Sequence, residues 1–189
     1  MKKEQLATFN DAVIAIVITL MVLEIKLPEF TPEYIWGLVQ HICVYGLSFL
    51  MVAIVWLNLR LILAPLERVG NAIIWLDLLL LFIISLVPLP TQALGERFGQ
   101  RESHIFYGLV MAMLALVYAL LHGRIARHVS ARHKTCDTVS LGKNWLAFTL
   151  YLLSIPFSSA SLYLSTAIFV GIPLFYLLPF HRVAEEQNE

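Results

Sequence analysis

The residues from Phe9 to Leu23 form an apolar run that holds one charged side chain, Asp11. A helix built on this run is too apolar for the surface of a water-soluble domain and suits the interior of a bilayer. Within or near that interior a carboxylate is costly, so Asp11 needs a partner or water. The stretch therefore reads as a membrane helix with one polar obligation, and as a candidate wall of an ion pathway.

The rest of the chain agrees with a membrane setting. Of its 189 residues, 59% are hydrophobic and 14% charged, and the mean hydropathy is +0.79. Soluble domains run nearer 45–50% apolar and about 25% charged. The formal net charge is +0, which argues against a nucleic-acid partner. The N-terminal run carries Asp11, ends in Glu24 and Lys26 and lacks a small-residue cleavage site, so it is expected to remain as the first span rather than leave as a signal peptide.

Apolar segments separated by Pro and charge clusters predict an all-α membrane protein, one domain over residues 1–189, with six spans near residues 5–25, 34–62, 71–89, 105–121, 145–156 and 161–178. The fifth is short enough to be an incomplete crossing or to be buried among its neighbours, bounded by Pro156 and the run Ser158-Ser159-Ala160-Ser161. With the N-terminus inside, the inner segments hold Lys2, Lys3, Arg60, Arg68, Arg124, Arg127, Arg132, Lys134, Lys143 and Arg182, and the outer ones only Lys26, Arg97 and Arg101. Basic residues favour the cytoplasmic side, so both termini are expected there. Tyr34, Trp36, Tyr107 and Trp145 lie near predicted span ends, as an interfacial aromatic belt would have them. Cys43 is expected to be buried filler and Cys136 a reduced thiol.

On the first helix, Ile16, Leu20 and Leu23 are spaced by four and three and share a face, with Val13 and Leu27 extending the stripe and Thr19 beside it. Such a stripe either packs or faces lipid, or lines a narrow axis where apolar rings gate by excluding water. Asn10 and Asp11 are rotated off it, to opposite sides, at about 100° per residue. Asp11 is either an interfacial carboxylate or part of a network that fixes helix packing, with Asn58 and Asn71 as candidate partners. A second acid, Asp77, is expected to be satisfied by Trp75 or a nearby Ser or Asn.

The run Phe9-Asn10-Asp11 with its apolar continuation resembles the Phe-Ser-Asp signature opening the first helix of the transmembrane protein 175 family of potassium channels. Trp56-Leu57-Asn58 is similar to that family's Trp-x-Asn-His segment, and Ser85-Leu86-Val87-Pro88-Leu89-Pro90-Thr91 to its Ser-x-x-Pro-x-Pro-Thr ending of helix three. The resemblance implies a homotetramer whose pore is lined by four copies of helix one, with Ile16 at the constriction, Leu20 and Leu23 as further apolar layers and Thr19 at a position linked to cation selection. It implies potassium as permeant, no cofactor, and membrane lipid, monovalent cations and the chain's own copies as partners, in a bacterial inner membrane. Three positions depart from the family: Gln5 stands for an Arg, Asn10 for the Ser and Leu59 for the His. Asp11 is thereby expected to lose a cationic partner and to draw its network from Asn10, Gln5 and Asn58.

The competing readings are a proton-coupled carrier using Asp11 and Asp77 as relays, and a non-transporting scaffold or lipid-modifying enzyme. No nucleophile–base–acid arrangement supports an enzyme, because the hydroxyl-rich Ser158 to Ser165 region has no nearby His or carboxylate. His122, His128, His133 and Cys136 do not have the spacing of a zinc site.

Overall fold

A computed structural model describes residues 2–23, 25, 32–66, 68–127 and 134–177, with backbone alone for 32–34, 36 and 134–140. The described residues form helices α1 (Lys3–Leu23), α2 (Pro32–Leu63), α3 (Asn71–Leu86), α4 (Pro88–Glu96), α5 (Arg101–Ala126), α6 (Lys134–Ala160) and α7 (Leu162–Leu177). Among them α1, the 37–63 part of α2, α3 with α4, and α5 are long and apolar enough to cross a membrane, and α7 is a shorter apolar helix. At 1.5 Å per residue, the 21 residues of α1 reach about 31 Å, close to a hydrocarbon core of about 30 Å.

Prolines decide the breaks differently from the sequence expectation. The third span continues past residue 89, because α3 and α4 follow one another through Val87, whose backbone is still right-handed helical. Pro88 lacks an N–H but is tolerated in the first turn of α4, where that donor would have no partner. The next turn re-forms at once: the Thr91 N–H donates to the Val87 carbonyl at 3.2 Å. Pro156, expected to end the fifth span, lies inside α6, which runs on to Ala160. α6 is 27 residues long, about 40 Å. The chain turns at Ser161, and the Ser165 hydroxyl donates back to the Ser154 carbonyl at 2.9 Å, tying α7 to α6.

The helices form a bundle with α1 on one flank. α1 packs on α2, α3 and α4, while α6 packs on α5 and α7. Close approach of α5 to α6 depends on Gly108, where a Cβ would meet Ser154 Oγ at 2.6 Å. Small residues let membrane helices approach in this way. Between α2, α4 and α5 the buried hydroxyls of Ser48, Thr91 and Tyr107 cluster, with Ser48 Oγ 2.8 Å from Thr91 and 3.1 Å from Tyr107. Tyr107 is thus a fully buried core residue and not a member of an interfacial belt. Trp145 is exposed, whereas the side chains of Tyr34 and Trp36 lie outside the described residues.

Contacts at the helix ends give the topology. Lys2 bridges to Arg68 and Lys3 Nζ donates to the Ala64 carbonyl at 2.7 Å, so the start of α1 sits beside the α2–α3 connection. Asn144 Nδ2 donates to His122 Nδ1 at 2.8 Å and Tyr176 donates to Asn144 Oδ1 at 2.8 Å. These bonds bring the end of α5, the first half of α6 and the end of α7 together. Gln40 donates to the Gly95 carbonyl at the opposite end of the bundle.

Candidate functional site

α1 divides into two faces. Leu6, Asn10, Ile14, Val17 and Met21 are buried and recur every three to four residues, so one stripe of the helix faces the bundle. The opposite side presents Phe9, Ile16, Thr19, Leu20 and Leu23, with Ile16 58% and Leu23 75% exposed. Val13, placed on that stripe by sequence spacing, is half-buried and packs against the core. Leu27 lies outside the described residues. Thr19 donates its hydroxyl to the Ile16 carbonyl at 2.8 Å, which leaves the oxygen free to accept.

Asp11 lies between the two faces, and its partners come from α2. Trp56 Nε1 donates to Asp11 Oδ1 at 2.7 Å. Arg60 Nε donates to the same oxygen at 3.2 Å, and an Arg60 terminal nitrogen pairs with Oδ2. The guanidinium also lies over the Trp56 ring, 5.3 Å from its centroid. Trp56 and Arg60 are one helical turn apart, so both reach the same carboxylate. This corrects the sequence expectation: Asp11 keeps a cation, and Asn10, Gln5 and Asn58 do not build its network. Asn58 donates to the Ile54 carbonyl within α2, Gln5 is exposed, and Leu59 is buried in the core. Arg60 was legible as the basic residue one turn beyond Trp56, on the same face.

Asn10 serves a different acid. Its Nδ2 donates to Asp77 Oδ1 on α3 at 3.0 Å, with both side chains buried. Trp75, expected to satisfy Asp77, is 72% exposed and points elsewhere. Phe9, at the head of the motif, is half-exposed. Cys43 is exposed rather than buried filler. His122 is engaged by Asn144, while His128, His133 and the Cys136 side chain lie outside the described residues. Among the described residues, no three His, Cys, Asp or Glu side chains converge as a metal site.

The arrangement can therefore fix the rotation of α1. Asn10 ties it to α3 and Asp11 ties it to α2, and together they hold the Ile16, Leu20 and Leu23 face away from the chain's own core.

Comparison with known proteins bears on this helix and on the whole chain. Residues 5–88 match the model of the family described as endosomal/lysosomal potassium channel TMEM175. A potassium channel of Chryseobacterium sp. (strain P1-3) is 31% identical over 100% of both chains. A potassium channel of Streptomyces collinus is 35% identical over 63% of this chain and 62% of its own. The crystal structure of a lysosomal potassium-selective channel TMEM175 homolog from Chamaesiphon minutus superposes with a TM-score of 0.79 at 26% identity, covering 94% of this chain and 97% of that one. With its several membrane-crossing helices and a relative matched along its full length, the chain is a multi-pass integral membrane protein and belongs to the TMEM175 potassium-channel family.

Proposed function

We propose that four copies of the chain assemble around α1 and conduct potassium passively, in preference to sodium, through the central space that α1 encloses. One α1 cannot surround a pore, so conduction requires an oligomer with closed symmetry. The observation that carries the proposal is the exposed apolar arc of Ile16, Leu20 and Leu23, set opposite the buried arc of the same helix. Around a four-fold axis these residues become stacked rings, and apolar rings of that kind gate by dewetting. Thr19, with an acceptor oxygen on the exposed side, is the polar group nearest the rings and the candidate for discriminating between cations. Potassium is the permeant and no cofactor takes part.

The end of the bundle that carries Lys2, Lys3, Arg60, Arg68, Arg124 and Arg127 is assigned to the cytoplasm, with the chain termini, in a bacterial inner membrane. The test is reconstitution into liposomes under opposed potassium and sodium gradients. The expected current reverses near the potassium equilibrium potential. Uptake that saturates and follows a pH gradient would instead establish a carrier using Asp11 and Asp77, and absence of flux would remove transport altogether.

A further inference from the structure

At the end of the bundle where α3 begins and α5 ends, a cavity of about 720 Å3 opens between α3, α5 and α6. Its walls are apolar: Ala72 and Leu76 of α3, Leu120 of α5, Leu141 and Trp145 of α6. Two cations complete it, Arg124 and Arg127, both exposed and one turn apart on α5. Among the described residues that line it, none is acidic.

Chemistry and position select the occupant. Apolar walls in a membrane-embedded bundle suit an acyl chain, and paired guanidinium groups suit a phosphate, which they can hold with several charge-assisted bonds. Trp145 adds an amphipathic ring of the kind found at headgroup depth. The groove uses α6, which packs on α5 and α7, whereas α1 packs on α2, α3 and α4. We infer that this groove binds one anionic phospholipid, with its phosphate on Arg124 and Arg127 and an acyl chain along Leu76 and Leu120. The inference needs a membrane-embedded bundle but not a pore at α1.

Native mass spectrometry of the delipidated, purified oligomer, titrated with phosphatidylglycerol and phosphatidylcholine, tests it. Each arginine near an anionic headgroup contributes enough that phosphatidylglycerol should bind about 10- to 30-fold more tightly than phosphatidylcholine. Arg124→Gln with Arg127→Gln should erase most of that preference while the oligomer persists. Leu76→Trp, which fills the groove and keeps both cations, should weaken both lipids. Millimolar inorganic phosphate should not displace the lipid. Equal preference in wild type and the double variant, displacement by phosphate alone, or unchanged binding in Leu76→Trp would overturn the proposal. So would a changed subunit count in the arginine variant, which would make this face a contact between copies.

Discussion

Asn10 Nδ2 donates to Asp77 Oδ1 at 3.0 Å across the α1–α3 contact, while the amide oxygen of Asn10 and the second carboxylate oxygen of Asp77 are buried without a hydrogen-bond partner among the described residues. The two orphan acceptors, Asn10 Oδ1 and Asp77 Oδ2, belong to one pair. A single extra hydrogen placed on residue 77 would serve both, and a buried acceptor left unsatisfied costs about 1–3 kcal/mol.

The substitution Asp77→Asn supplies that hydrogen, since an amide both accepts and donates. It is expected to match or exceed the wild-type protein in thermal stability, read by fluorescence-detected size exclusion. Asp77→Ala leaves Asn10 stranded and should cost about 1–3 kcal/mol. If Asp77→Asn proves as damaging as Asp77→Ala, the pair does not act as an amide-like clasp.

In the proposed pore, where Ile16 forms the narrowest ring, Ile16→Asn is expected to raise liposome ion flux several-fold by wetting that ring, and Ile16→Ala to raise it less. Hydrophobic gating depends on both the polarity and the width of the constriction. Unaltered flux in Ile16→Asn, at equal protein incorporation, would move the pore away from this face of α1.

Asp11 and Arg60 should be coupled. Their side chains are 33% and 54% exposed, so the pair is half in solvent and its interaction energy is expected near 1 kcal/mol rather than that of a buried pair. A double-mutant cycle on Asp11→Ala and Arg60→Gln, read as thermal stability, measures it. Asp11→Ala also strands Trp56 Nε1, so it should impair assembly more than cation preference. A stable oligomer with altered ion preference would instead place Asp11 in selection.

Gly108→Ala puts a Cβ 2.6 Å from Ser154 Oγ and is expected to destabilise the α5–α6 contact by about 1–3 kcal/mol. Adding Ser154→Ala removes the clashing atom. The next nearest atom, Ile155 Cγ1, lies at 3.5 Å, so the double variant should recover most of the loss. Failure of Ser154→Ala to rescue would show that backbone spacing, not the hydroxyl, limits the contact.

Hydropathy alone determined the membrane class and the all-α architecture, because partition into a bilayer depends on composition summed over one local segment. The stripe of Ile16, Leu20 and Leu23 and the off-stripe setting of Asn10 and Asp11 were likewise visible, since a helix's angular period is fixed by its backbone. Only the tertiary structure decided that Asp11 meets Trp56 and Arg60 while Asn10 meets Asp77, that Tyr107 is core, that Val13 packs inward, and that α6 passes through Pro156. Each of these turns on the rotation and depth of one helix against another. Spacing within a single helix carries no information about either.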